Sequence, residues 1–227
     1  MKNSVYRNFY LLDSMLLPHA DREAAVGMAK YMKNHFPFLG IPATLRKEIL
    51  RDFKKSAISN EIMQWDFIRY LHQQSCREYH YFAMELAKLR VQKKPEISDI
   101  EHITFMLQTN AWWDTVDFLA AHVLGIYLKK FPEKITEVLD QYTLSKHLWL
   151  QRSTLLFSLF YKQETDWELL KKQVLLLQNQ KDFFIQKAIG WSLRQYAKTS
   201  ALQVFTFVNS IDFQGNNLAK KEALKHF

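Results

Sequence analysis

A basic residue recurs at an almost constant interval through the second half of this 227-residue chain. Arg152 and Lys187 are 35 residues apart, and Lys221 follows 34 residues after Lys187. Asp117 stands in the same register, 35 residues before Arg152. The residue three positions before each basic one is aromatic or aliphatic: Trp149, Phe184 and Leu218. A period of this length is typical of a solenoid of stacked helical pairs, in which equivalent positions line up along one surface.

The composition favours an all-α fold. Only five glycines and five prolines interrupt the chain, and the segments between them are rich in helix formers such as Leu, Lys, Gln, Glu and Ala. One domain over residues 1–227 is expected, with an aromatic connector at 36–42. The predicted helices cover about 4–17, 21–34, 44–55, 60–74, 76–92, 97–108, 112–129, 132–142, 147–161, 166–178, 182–197, 200–209 and 217–226.

The charge balance indicates a polyanionic partner. The formal net charge is +8, from 31 Lys and Arg against 23 Asp and Glu, which suits nucleic acid ahead of an acidic membrane surface. A solvated surface with no specific partner explains the charge equally well. The single cysteine, Cys76, excludes an internal disulfide and fits a reducing cytosol. Neither a membrane-spanning run nor a signal peptide is evident, so an intracellular location is expected.

Several catalytic signatures are missing from the sequence. It contains no glycine-rich phosphate loop, no nucleophile elbow, no HExxH motif and no EF-hand loop. The eight histidines are scattered rather than set at ligand spacing, so no metal and no cofactor is expected. Cys76 has no identifiable catalytic partner and is expected to be inert.

Two tryptophans stand one helical turn from residues in the repeat register. Trp113 precedes Asp117 by four residues, and Trp191 follows Lys187 by four, so each pair shares a helix face. Gly190 in a helix interior costs about 1 kcal/mol relative to Ala, which indicates that another helix or a ligand approaches the backbone there. The alternative to a functional site is helix packing, with Asp117 and Arg152 forming an ordinary buried ion pair.

A carboxylate between aromatic faces in a basic groove suits a cation that forms transiently on an anionic polymer. The carboxylate contributes roughly 4 kcal/mol at about 4 Å, and each aromatic face adds about 0.5–2 kcal/mol. Together these reach about three to five powers of ten in rate. Cleavage of the N-glycosidic bond of an alkylated purine passes through such a cation, and the charged base leaves without a general acid.

Five blocks of sequence resemble the bacterial HEAT-like-repeat DNA glycosylases of the AlkD family, also called DNA alkylation repair enzymes. The similarity runs from about residue 21 to 227. The blocks are Met28–Asn34, Phe38–Ile41, Trp112–Asp117, Trp149–Arg152 and Phe183–Trp191. The resemblance implies a right-handed solenoid of HEAT-like helical pairs with a concave basic face, acting as a monomer in the bacterial cytoplasm on duplex DNA.

The resemblance also implies the reaction and the catalytic residues. The substrates are cationic N3- and N7-alkylated purines such as 3-methyladenine and 7-methylguanine. Asp117 stabilises the sugar cation and helps to position water, Trp113 and Trp191 lie against the lesion's deoxyribose, and Arg152 supports the carboxylate. Most glycosylases extrude the base, whereas this family is understood to read the lesion through the backbone.

The expected DNA contacts come from both halves of the chain. By resemblance Tyr31 lies near the lesion on an N-terminal helix, and Lys187 and Arg194 are expected to contact DNA. Arg46 and Lys47 supply phosphate-binding charge, although Pro42-Ala43-Thr44 departs from the Thr-Pro that begins this helix in the family and shifts its cap.

Two further functions are compatible with the same sequence. A helical-repeat protein that binds DNA without chemistry would have the same basic residues, and its affinity would fall steeply with salt. A protein-interaction scaffold would place those residues on its convex side.

Overall fold

Helices are the only regular secondary structure in residues 2–213 and 217–225, the part of the chain that the computed structural model describes. This confirms the predicted all-α class; the solenoid arrangement stays a prediction. The chain divides into two compact units, Met1–Asn110 and Ala111–Phe227. A single domain over 1–227 likewise stays a prediction.

The first unit contains seven described α-helices, and a 3₁₀ turn at Leu17–His19 follows the first of them. The α-helices are α1 (Lys2–Leu16), α2 (Arg22–Tyr31), α3 (Ala43–Ser56), α4 (Ser59–Ile62), α5 (Trp65–His72), α6 (Arg77–Lys93) and α7 (Asp99–Gln108). Helix α5 packs against α6, α1 and α7. These contacts bury a core of large aliphatic and aromatic side chains.

Helix α2 begins where the sequence predicts. The Asp21 carboxylate accepts hydrogen bonds from the backbone N–H groups of Glu23 and Ala24 at 2.9 and 3.0 Å, which makes Asp21 the N-cap. The predicted extension of this helix to Asn34 is wrong by three residues. Lys33 and Asn34 adopt the left-handed conformation with φ of 57° and 59°, which a continuing helix does not allow.

The connector at residues 36–42 is held by a buried acid from α6. The Glu78 carboxylate accepts hydrogen bonds from the backbone N–H groups of Leu39, Gly40 and Ile41 at 2.9, 3.0 and 3.2 Å. The side chain is fully buried. Backbone donors that no helix or sheet would pair are thereby satisfied, which removes the cost of leaving them buried and unbonded.

Gly40 provides a test of this connector. Its φ is +88°, and an added Cβ would lie 2.0 Å from the Asp21 carbonyl oxygen. Gly40→Ala should therefore lower the free energy of unfolding by roughly 1–3 kcal/mol, measured by urea denaturation.

Gly27 in α2 is the matched control, because a Cβ there would meet nothing within 4 Å. Gly27→Ala should stabilise by about 0.5–1 kcal/mol, since alanine favours a helix interior. Equal effects of the two substitutions would contradict the proposed backbone constraint at Gly40.

The second unit continues with helices numbered α8 to α15 in its described residues. They are α8 (Trp113–Phe118), α9 (Gly125–Lys130), α10 (Ile135–Leu144), α11 (Leu148–Leu156), α12 (Trp167–Leu177), α13 (Phe183–Ala197), α14 (Ala201–Ser210) and α15 (Asn217–Ala223). A π-helical segment, Leu119–Leu124, joins α8 to α9 within the predicted helix 112–129. The predicted last helix extends to 226, which lies outside the described residues.

Helices α8, α11, α13 and α15 lie side by side in that order. In chain order, these four helices carry the residues of the 35-residue register: Asp117, Arg152, Lys187 and Lys221. Helices α13 and α15 approach closely at Gly190, since a Cβ there would lie 2.3 Å from the Glu222 Cβ and 2.9 Å from the Ala219 carbonyl oxygen. The backbone approach expected at Gly190 is therefore made by another helix.

Candidate active site

The Asp117 carboxylate on α8 forms a bidentate ion pair with the Arg152 guanidinium on α11. Arg152 Nε donates to Asp117 Oδ1 at 2.7 Å, and Nη2 donates to Oδ2 at 2.8 Å. The Arg152 side chain is 5% exposed and that of Asp117 is 15% exposed. This geometry holds both carboxylate oxygens in fixed positions, while part of the Asp117 side chain still meets solvent.

The third nitrogen of the guanidinium ties the pair to α13. Arg152 Nη1 donates a hydrogen bond to the Phe184 carbonyl oxygen. One buried side chain therefore connects three neighbouring helices that are remote from each other in sequence. An unpaired buried guanidinium would be costly, so these acceptors also stabilise the charge where it lies.

Aromatic rings surround this connection on the side of Phe184. The ring centroids of Trp112 and Trp149 are 5.5 Å apart, and each lies 5.0–5.2 Å from the Phe184 ring. Packing of this kind adds about 0.5–1.5 kcal/mol per pair beyond area burial. Trp112 therefore helps to hold α11 against α13, a role that was not predicted from the sequence.

The electrostatic environment of Asp117 contains opposing effects. Burial raises the pKa of the Asp117 carboxyl, and the hydrogen bonds and positive charge of Arg152 oppose that rise. Asp114, one turn earlier on α8, adds a smaller contribution in the same direction as burial. The pKa of Asp117 thus lies above the ordinary value for an aspartate.

Trp113 and Trp191 lie on the helices that flank α11. Trp113 is the first residue of α8, one turn before Asp117, and its side chain is partly exposed. Trp191 on α13 is also partly exposed and packs against the core of the second unit. Neither residue is buried, and contact of the two indoles with a deoxyribose stays a prediction.

Lys187 and Arg194 on α13 both bind one acid that the sequence analysis missed. The Glu222 carboxylate on α15 accepts from Lys187 Nζ at 2.8 Å and from Arg194 Nη1 at 2.6 Å. Glu222 follows the in-register Lys221, but nothing in the sequence indicates that it faces α13. DNA contact by Lys187 and Arg194 stays a prediction.

The remaining predicted DNA-contacting residues belong to the first unit. The side chains of Tyr31 and Lys47 are exposed. Arg46 is partly buried. Its Nη1 donates a hydrogen bond to the Ile41 carbonyl oxygen at 2.8 Å, and its guanidinium lies 4.3 Å from the centroid of the Tyr81 ring. Arg46 therefore has a structural role at the start of α3.

Among the described residues, no group of three or more His, Cys, Asp or Glu side chains could hold a metal ion. Burial raises the pKa of the Cys76 thiol, which lowers its reactivity at neutral pH. Within the same part of the chain, no helix is long and apolar enough to cross a lipid bilayer.

Comparison with known proteins identifies the family. The family model for the DNA alkylation repair enzyme matches residues 12–227. A solved structure of a predicted DNA alkylation repair enzyme from Enterococcus faecalis is similar, with a TM-score of 0.81 and 31% sequence identity, over 92% of this chain and 97% of that chain. Among curated proteins, none matches. The chain belongs to the DNA alkylation repair enzyme family, which implies a role in the repair of alkylated DNA and DNA as its partner.

Removal of Arg152 should raise the pKa of Asp117 further. In Arg152→Gln the effect of burial remains while the opposing guanidinium is lost, and carbon-detected NMR titration of the Asp117 carboxyl should show the increase. We also expect a loss of about 3–5 kcal/mol of stability, because the partner charge is left buried.

Arg51→Gln is the control for this titration, since exposed Arg51 pairs with its neighbour Asp52 in the other unit. This variant should leave the pKa of Asp117 unchanged. An unchanged pKa in Arg152→Gln as well would show that the guanidinium does not set the ionisation of the carboxyl.

Proposed function

We propose that this protein is a DNA glycosylase that excises cationic N3- and N7-alkylated purines, such as 3-methyladenine and 7-methylguanine, from duplex DNA. Asp117 stabilises the oxocarbenium-like sugar and orients the attacking water. Trp113 and Trp191 lie against the deoxyribose, and Arg152 holds the carboxylate in place. The observation that carries the proposal is the bidentate, partly exposed Asp117–Arg152 pair in a chain of this family.

The Asp117 carboxylate retains capacity to act on a substrate. Its two oxygens offer about four lone-pair positions, and Arg152 uses one on each oxygen. The others can accept hydrogen bonds from water or attract a positive sugar carbon. Because Arg152 fixes the carboxylate before the substrate arrives, little reorganisation is needed when the charge develops.

The energy available from this carboxylate is sufficient to matter for catalysis. A charge about 4 Å away in a partly screened site contributes up to roughly 4 kcal/mol, and the paired guanidinium reduces that value. About 3 kcal/mol would still accelerate bond cleavage about 100-fold. The alkylated base already carries a positive charge, so the reaction needs no general acid.

The two partly exposed indoles complement the carboxylate. An aromatic face near a cation contributes about 0.5–2 kcal/mol, and a flat ring packs well against a sugar. Trp113 is fixed to Asp117 by the helical spacing within α8. Trp191 is held by its packing on the core of the same unit.

Replacement of Asp117 by asparagine tests the catalytic role directly. Wild-type protein should release 7-methylguanine from methylated duplex DNA without added metal, and Asp117→Asn should release it about 100-fold more slowly, since the charge is lost while the shape is kept. Freed bases are quantified by chromatography under single-turnover conditions.

Asp140→Asn is the control, because Asp140 is a half-exposed acid on α10 that pairs with Lys172. This variant removes the same charge and should excise at the wild-type rate. Undiminished release by Asp117→Asn would end the role proposed for the carboxylate.

The rate of base release should also depend on pH in a defined direction. Protonation removes the negative charge of Asp117, so the rate should fall as the pH is lowered through its pKa and level off above it. Because burial raises that pKa, the acid limb should lie above the ordinary value near 3.8. Spontaneous depurination in protein-free controls is subtracted, and a profile that is flat through this region would contradict the assignment.

Binding of DNA without chemistry is the second candidate function. The Asp117–Arg152 pair is complete without a ligand and would also exist in a protein that only binds. Binding of alkylated duplex with no freed base over several hours would select this alternative.

A further inference from the structure

Glu222 on α15 is the shared partner of two cations on α13. Its Oε1 lies 2.8 Å from Lys187 Nζ, and its Oε2 lies 2.6 Å from Arg194 Nη1. Arg194 Nη1 also donates to the Glu222 main-chain carbonyl at 2.9 Å. Lys187 and Arg194 are two turns apart on one face of α13, so the single carboxylate spans that face.

The packing of α15 on α13 fixes the position of Glu222. The Glu222 Cβ and the backbone of Ala219 and Ala223 lie directly against Gly190, which stands between the two cations. Ala219 and Ala223 are fully buried. Small residues on both helices allow this close approach. The carboxylate therefore reaches Lys187 and Arg194 as a consequence of helix packing, and its backbone cannot move away without separating the helices.

The three charged groups remain accessible at the surface. The exposed fraction is 37% for the Lys187 side chain, 22% for Arg194 and 18% for Glu222. Lys187 and Arg194 together lower the pKa of Glu222 to about 2, so the carboxylate is ionised at neutral pH. A phosphate group of DNA that approached this face would compete with an anion already in place.

We propose that Glu222 limits the affinity of this protein for duplex DNA by withholding Lys187, and in part Arg194, from backbone phosphates. Each cation that is free to neutralise a phosphate releases condensed counterions and strengthens binding without regard to sequence or damage. Glu222 reduces that contribution at a position next to Trp191. A repair protein that must leave undamaged DNA gains from such a limit. The inference needs DNA as partner, as the family implies, and is independent of whether Asp117 cleaves the glycosidic bond.

Glu222→Ala is the direct test, because alanine keeps the Cβ that packs on Gly190 and removes the carboxylate together with the Cγ methylene. The affinity for undamaged duplex DNA should rise, and the slope of log K against log salt should steepen by about 0.9, the value for one additional phosphate contact. One contact is expected because Arg194 keeps its hydrogen bond to the main-chain carbonyl of residue 222. Fluorescence anisotropy at several salt concentrations measures both quantities.

A second substitution identifies the cation responsible. Lys187→Gln in the Glu222→Ala background should return the slope to the wild-type value, whereas Lys187→Gln alone should change it little, since Glu222 already holds that ammonium group. If Lys187→Gln alone lowers the wild-type slope by about 0.9, then Lys187 contacts phosphate despite Glu222 and the proposal is overturned.

Glu168→Gln controls for the change in net charge, and Glu222→Gln controls for folding. Exposed Glu168 pairs with Lys171 on α12, and its substitution should leave the slope unchanged. Glu222→Gln keeps the side-chain shape and should steepen the slope in the same direction as Glu222→Ala, with the thermal midpoint of each variant recorded.

The outcomes separate this inference from the proposed function. Unchanged slopes in both Glu222 variants, in a protein that still excises 7-methylguanine, would overturn the role of Glu222 alone. A steeper slope in a protein that releases no base would overturn the glycosylase proposal alone. Absence of DNA binding in the wild type and in both variants would overturn both.

Discussion

The second unit depends on the buried guanidinium of Arg152. Removing such a group from water costs several kcal/mol, which only well-placed acceptors can offset. Asp117 on α8 and the Phe184 carbonyl on α13 supply them. The guanidinium reaches both acceptors because α8, α11 and α13 are arranged as they are. The same hydrogen bonds fix the position of the Asp117 carboxylate. Rigidity of the site is a consequence of burial.

The same use of a charged group recurs at two other places. Glu78 in the first unit binds three backbone N–H groups of a connector that has no regular structure. Glu222 binds two side chains across a helix contact so close that Gly190 leaves no room for a methyl group. Each acid joins elements that are distant in sequence. The two acids differ in exposure. Glu78 is fully buried and has a structural role only, whereas Glu222 is partly exposed and its partners are accessible to a competing phosphate.

Local sequence signals predicted most of the helices but not all of their ends. Asp21 marked the start of α2 because a short carboxylate that caps a helix needs only its own neighbours. The end of that helix at Tyr31 was missed, since nothing local requires the left-handed conformation of Lys33 and Asn34. The π-helical segment at Leu119–Leu124 was missed as well, because α-helical and π-helical turns bury apolar residues with similar spacing.

The sequence by itself determined the helical class, the 35-residue register that pairs Asp117 with Arg152, and the one-turn spacing of Trp113 from Asp117. These properties follow from composition and helical geometry, which act over a few residues or over a regular repeat. Only the tertiary structure decided that Glu222 pairs with Lys187 and Arg194 and that another helix packs against Gly190. It also decided that Arg152 donates a hydrogen bond to the Phe184 carbonyl. Those contacts depend on how closely two helices approach, and that distance is set by packing across the whole unit.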